Sequence, residues 1–197
     1  MYPIVLQLEN IPCLIVGGGA VAERKALGLL QAGAEVTVIS LSLSRVLEAL
    51  CNEGRIQHID RAYEAGDSRR YRLVVAATDD HELNHLIFRE AESQGILVNC
   101  VDDPENCNFY VPSVIRRGNL LLAISTSGTV PAMAKALRRF LEKKFYPGFA
   151  EDVEELRAVR KETLQERELN RQQKDQDYTQ ILQPKIDAII SKMERSC

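Results

Sequence analysis

Three features of the sequence predict an α/β protein built on a doubly wound parallel sheet. Short β-branched strands alternate with helical stretches over the first hundred residues. Those strands read as continuous apolar runs, as strands covered on both faces do. The first of them enters three consecutive glycines that open a helix, the connection that parallel strands with right-handed crossovers require.

The elements follow in order. Residues 11–17, IPCLIVG, form the first buried strand, and AVAERKALGLLQAG the first helix, with Gly33 as its C-terminal stop. AEVTVIS (34–40) is the second strand, 44–52 a helix and 55–60 a third strand. RLVVAAT (72–78) is a fourth strand, 80–94 a helix that ends at Gly95, and ILVNCV (96–101) a fifth strand. The pattern changes after Pro112. NLLLAIS (119–125) is a strand, and STSGTVP (125–131) a turn of small residues. A helix from about Val130 to Phe145 follows, capped by Thr129 or Ser127, with Pro131 in its first turn. Its apolar face, Ala132, Met133, Ala136, Leu137, Phe140 and Leu141, reads as core or subunit interface. Pro147-Gly148 stops it. Residues 150–175 are charged and helix-prone, and QPKIDAIISKM forms a last short helix.

Composition narrows the function. The 197 residues carry a net charge of -3 and a pI near 5.7, against the basic surface of a nucleic-acid binder, so no nucleic-acid partner is expected. No apolar run approaches the roughly 18 residues of a membrane span. The N-terminus lacks the basic start of a secretory signal. Five cysteines without a CxxC pair suit reduced thiols, so the expected compartment is the cytoplasm. Charge is unevenly spread: residues 1–113 are net -7, residues 114–145 net +6 and residues 146–197 net -2. The basic segment reads as a solvated helix face or as a site for a small polyanion.

Gly17-Gly18-Gly19-Ala20-Val21-Ala22 fits G-x-G-x-x-A between a strand and a helix. Absent side chains let the backbone approach a pyrophosphate, and the helix N-terminus offers it free N–H groups. The fold expected is therefore Rossmann-like, with Gly17, Gly19, Ala20 and Val21 holding a dinucleotide. Where the second strand would end in an acid for the ribose of NAD, the chain has Ser40, Leu41 and Ser42. Their hydroxyls and backbone suit a ribose, and the residues leave NAD and NADP open. Thr78 and Asp79 follow the fourth strand, at the crevice edge of such a sheet; Asp79 or Asp80 also suits a helix N-cap. His81 and His85 share a helix face but lack a third ligand, and Cys100 reads as a small buried hydrophobe, so no metal site is expected.

GGGAVAERK, AATDDHELN, NCVDDPENCNFYVPS and STSGTVPAMAKALR, in that order over roughly residues 1–150, resemble the precorrin-2 dehydrogenase/sirohydrochlorin ferrochelatase family, the N-terminal module of siroheme synthases. The resemblance implies an oxidoreductase of porphyrin biosynthesis. It implies NAD as cofactor, precorrin-2 as substrate, sirohydrochlorin as product, and in many members a lyase step that inserts Fe2+ to give siroheme. It implies Asp102 as the catalytic aspartate, with Asp103 the neighbouring alternative. Thr126 stands where some relatives carry serine. A homodimer is implied, as is a separate uroporphyrinogen methyltransferase upstream. The expected organisation is a NAD-binding domain over 1–113, a small α+β dimerisation and substrate segment over 114–149, and a helical region over 150–197.

That chemistry suits the residues. Precorrin-2 bears eight carboxylates, and the net +6 segment offers cations and N–H donors for them. The candidates are Arg116, Arg117, Ser125, Thr126, Ser127, Gly128 and Lys135. Asp102 follows the fifth strand at the crevice edge, where a carboxylate can take a proton. Whether iron is also inserted stays open. The contrasting reading is a non-catalytic NAD(H) sensor, for which a basic polyanion cleft has no purpose.

Overall fold

Each strand expected in the first hundred residues is present in the computed structural model, which describes residues 1–165 and 178–195. The chain divides into two units, Met1–Tyr110 and Val111–Cys197. The first contains β1 (Pro12–Val16), α1 (Ala20–Gln31), β2 (Glu35–Ile39), α2 (Arg45–Asn52), β3 (Ile56–Ile59), β4 (Leu73–Ala76), α3 (His81–Ser93) and β5 (Leu97–Cys100). All five strands are parallel, in the order β3-β2-β1-β4-β5. This is the expected Rossmann-like sheet.

Alternation along each strand builds two cores. Cys13, Ile15, Val36, Val38 and Val75 pack with Ala22 and Ala26 of α1 and Leu47 and Leu50 of α2. Leu14, Val16, Ile39, Val74 and Val98 pack on the opposite face with Ile87 and Ala91 of α3. Helix ends follow local chemistry. Ser44 caps α2 by accepting the Leu47 N–H, and Asp80 caps α3 by accepting those of Glu82 and Leu83. Gly33 and Gly95 close α1 and α3 in the left-handed region.

The second unit opens with an antiparallel hairpin of β6 (Ser113–Arg117) and β7 (Leu120–Ile124), joined at Gly118-Asn119. β6 is a strand that the sequence reading did not contain. Then come α4 (Pro131–Glu142), α5 (Phe149–Gln165), a π-helical turn (Tyr178–Leu182) and α6 (Gln183–Arg195). The expected helix at QPKIDAIISKM is present as α6. Residues 166–175 of the charged stretch lie outside the described residues, as does Cys197.

One expectation for α4 is corrected and one is narrowed. Its N-cap is Val130, not Thr129 or Ser127. Ser127 is held in a left-handed turn at φ 58°, and the Thr129 hydroxyl donates back to the Thr126 carbonyl at 2.6 Å. The apolar stripe, read as core or subunit interface, is mostly exposed: Met133, Leu137 and Phe140 are 53%, 39% and 58% exposed, while Leu141 is half-buried and Ala134 is buried. Elsewhere in this unit Phe149, Leu182 and Ile189 are buried. Beside them an apolar groove of about 450 Å³ is lined by Leu122, Phe145, Leu156 and Met193 among others. No described helix is long and apolar enough to cross a membrane.

Candidate active site

Strand register brings the expected cofactor residues and Asp102 to one edge of the first sheet. Val16 pairs with Ile39 and with Ala76, and Ala76 pairs with Cys100. The ladder continues one residue further: Gly17 N–H donates to Ile39, Ala77 to Val16 and Val101 to Ala76. The residues that follow, Gly17–Val21, Ser40–Ser42, Thr78–Asp79 and Asp102, therefore leave the sheet at a common level. The strand order reverses between β1 and β4, the place where open α/β sheets hold ligands.

The glycine turn is tight below and open above. A Cβ on Gly17, at φ +113°, would lie 2.3 Å from the Ala77 carbonyl oxygen. One on Gly18 would lie 1.8 Å from the Ser42 carbonyl oxygen. Nothing stands within 4 Å of a Cβ on Gly19, the N-cap of α1, which has no side-chain cap. The first-turn N–H groups of α1 lack intrahelical acceptors and face that space. The turn thus fits a dinucleotide pyrophosphate. Gly18 stands at an unspecified position of the motif, yet it is the most crowded of the three glycines.

Ser40, Leu41 and Ser42 form a loop against this turn. The Ser40 hydroxyl donates to the Ser42 carbonyl at 2.6 Å, and His58 of β3 bonds the Ser40 carbonyl at 2.9 Å. The Ser42 side chain and Leu41 are exposed. No carboxylate occupies this loop. Thr78 donates to Asn84 at 2.8 Å, and Asn84 donates back to the Thr78 carbonyl at 2.9 Å. Asn84 is buried and fixes this loop from within α3; neither it nor His58 was singled out from sequence. Asp80 is the N-cap, which leaves Asp79 exposed.

The two aspartates after β5 differ. Asp103 accepts the side-chain amide of Asn106 at 2.6 Å and caps the short turn Pro104–Asn106. Asp102 is exposed, sits at φ 60° and has no hydrogen-bond partner among the described residues. Of the two, Asp102 is the one whose carboxylate is available for chemistry at this edge.

Cys100 and Cys107 lie beneath. Burial pushes the Cys100 thiol up to about 12 and raises that of Cys107. A thiol must lose its proton to ligate a metal. His85 bonds Asn106 at 2.8 Å. No group of three metal-ligating side chains forms among the described residues.

The second unit carries the cationic candidates. Successive residues on a strand point to opposite faces, so Arg116 and Arg117 part company. Arg117 pairs with Glu142 at 3.5 Å and stacks over Phe145 at 5.7 Å; Arg116 is exposed. Glu142 also pairs with Arg138 at 2.5 Å. Lys135 and Arg139 are exposed at i and i+4 on α4, with Lys143 just past its end. In the turn before α4, Ser125 accepts the Ser127 N–H and Thr126 accepts the Val130 N–H. Ser127 and Gly128 are both left-handed. Pro131 removes one N–H from the start of α4.

A family model described as putative NAD(P)-binding matches residues 4–113. The chain belongs to that family. The siroheme synthase of Methylobacillus flagellatus is 46% identical over 140 residues, 71% of this chain and 30% of that protein. That of Chromobacterium violaceum is 41% identical over 148 residues, 75% of this chain and 32% of that protein. The chain thus spans about three tenths of the length of these curated relatives. A solved structure, SirC, precorrin-2 dehydrogenase, matches with a TM-score of 0.80 and 25% identity, covering 99% of this chain and 100% of that one.

Proposed function

We propose that the chain is a NAD-dependent dehydrogenase that converts precorrin-2 to sirohydrochlorin in siroheme biosynthesis. The observation that carries the reading is the shared sheet edge, where a glycine turn open only at Gly19 stands level with an exposed, unpaired Asp102. The end-to-end likeness to SirC supports it.

Bound at the glycine turn, NAD+ supplies a hydride acceptor. The chain's own residues do the rest. The turn and the first-turn N–H groups of α1 hold the pyrophosphate. The loop 40–42 receives the adenosine ribose through Ser42 and the backbone. Asp102 takes the proton that leaves as the substrate carbon surrenders its hydride, and the two electrons of the second C–H bond become the new double bond. Arg116, Lys135, Arg139 and Lys143 bind the substrate carboxylates, helped by the turn from Ser125 to Gly128.

Three finer readings accompany this. Exposed Met133, Leu137 and Phe140 support a homodimer through α4. Fe2+ is the second substrate, replacing two pyrrole protons that Asp102 helps remove. A uroporphyrinogen methyltransferase supplies precorrin-2, in a reducing cytoplasm suited to the free thiols.

The test is anaerobic conversion of precorrin-2 with NAD+, followed by absorption, in wild type and Asp102→Asn. The expected result is a sirohydrochlorin spectrum in wild type and at least a 100-fold slower reaction in the variant. Fe2+ is then added, and siroheme formation above the enzyme-free rate supports chelation. A wild type that binds NAD+ and leaves precorrin-2 unchanged overturns the dehydrogenase.

A further inference from the structure

Lys25 lies between the glycine turn and the Asp102 loop, and the chemistry above leaves it unused. It extends from the second turn of α1, and its Nζ donates to Asn99 Oδ1 at 2.9 Å. Asn99 is on β5 and 7% exposed. The Asn99 Nδ2 donates to Cys107 Sγ at 3.3 Å and to the Phe109 carbonyl at 3.2 Å. An ammonium only donates, so Lys25 fixes which end of the amide faces α1 and which faces the loop.

Cys107 passes the constraint on. Its Sγ bonds the carbonyls of Cys100 and Asp103, each at 3.2 Å, and accepts the Cys100 N–H at 3.2 Å. These contacts grip the chain on both sides of Asp102. Asp102 needs that grip, because a non-glycine residue at φ 60° persists only where its surroundings fix it. From the far side, Asn106 holds Asp103 and is held by His85 of α3. Burial and the neighbouring Arg24 push the Lys25 ammonium below its ordinary value, and the neighbouring Cys107 and Asp102 oppose them. Lys25 is the start of the bonded chain that reaches Asp102.

We propose that Lys25 is the positioning residue for Asp102, acting through the Asn99 amide and the Cys107 thiol. The same side chain ties the helix that opens at the dinucleotide turn to the loop that carries the base. The catalytic half of this inference rests on the function proposed above.

The test compares Lys25→Met, Lys25→Arg and Asn99→Asp in the full chain. Lys25→Met should lower kcat about tenfold and leave KM for NAD+ within about twofold. Deuterium uptake of the peptide spanning residues 101–107 should rise, with α1 and β2 at the wild-type rate. Lys25→Arg, which keeps donor and charge, should return kcat to within about threefold of wild type. Asn99→Asp keeps a partner for Lys25 but loses the Nδ2 donors, so the same peptide should loosen. Wild-type kcat and uptake in Lys25→Met would overturn the proposal. So would an effect confined to KM, or uptake raised throughout α1 with no rescue by arginine. If wild type itself leaves precorrin-2 unchanged, the dehydrogenase and the catalytic half fall together, and the uptake at 101–107 alone decides whether Lys25 holds the loop.

Discussion

In Met1–Tyr110, strands covered on both faces end level with one another, and the backbone ladder itself carries Gly17, Ala77 and Val101 to the edge. In Val111–Cys197, a two-stranded hairpin and helices bury few of the described residues, and α4 leaves Met133, Leu137 and Phe140 exposed. The first unit completes its core alone and spends its precision on backbone positions. The second spends its surface on side chains: a cationic stripe through Lys135 and Arg139, and an apolar stripe beside it. A backbone site fails when a Cβ is added. A surface site fails when its charge or its partner is removed.

Four experiments sharpen that contrast. The largest effect should come from Gly17→Ala or Gly18→Ala. Each forces a Cβ against a backbone carbonyl just beyond a neighbouring strand, and the cost should be about 3 kcal/mol or more, with loss of NAD+ binding by calorimetry. Gly128→Ala, in the second unit's left-handed turn, should cost only about 1–2 kcal/mol. Equal losses at the two sites would erase the distinction.

Next, Met133→Asp with Phe140→Asp should leave the chain folded, because both side chains are exposed. Sedimentation should show a dimer at least 100-fold weaker, about 3 kcal/mol. A wild type that is already monomeric would remove the homodimer. Smaller again is the split between the paired arginines. Arg117→Gln should lower stability by under about 1 kcal/mol, since its ion pair with Glu142 is a third exposed. Arg116→Gln should leave the melting temperature unchanged and raise KM for precorrin-2. The reverse pattern would reassign the two side chains.

The smallest effect lies in the first unit, away from the crevice. Two hydrogen bonds from Arg61, at 2.7 and 2.9 Å, hold the Asp67 carboxyl below its ordinary value. A depressed carboxyl contributes stability above the unfolded value of about 3.9 and loses it as pH falls through the lower folded value. Asp67→Asn should therefore unfold more easily in urea at pH 7, and the deficit should close as pH falls through the lowered folded value. A deficit that persists in acid would place its cause outside the ion pair.

Much of the first unit was readable because its signals are local. Apolar runs, glycines and Asp80 each act within a few residues, and they gave five strands and their helices nearly to the residue. β6 escaped because Val114 and Ile115 run straight into Arg116 and Arg117, which hides the strand ahead of the Gly118-Asn119 turn. The cap of α4 escaped because four hydroxyls, those of Ser125, Thr126, Ser127 and Thr129, stand there, and the turn's backbone made none of them the cap. At the crevice, the sequence indicated Gly17, Gly19 and Asp102. It was silent on His58, Asn84, Asn99 and Lys25, since the bonds of Lys25 to Asn99 and His58 to Ser40 span 74 and 18 residues.

The sequence by itself determined the strand alternation, the glycine turn, the charge asymmetry and the apolar stripe of α4, because each is a periodicity or a composition. Tertiary structure decided the rest. It made Gly18 the crowded glycine, committed Asp103 to Asn106 and left Asp102 free. It turned Arg117 toward Glu142 and away from the face of Arg116, and placed Ala134, rather than Met133, inside. Periodicity fixes which side chains share a face. Only packing fixes what that face meets.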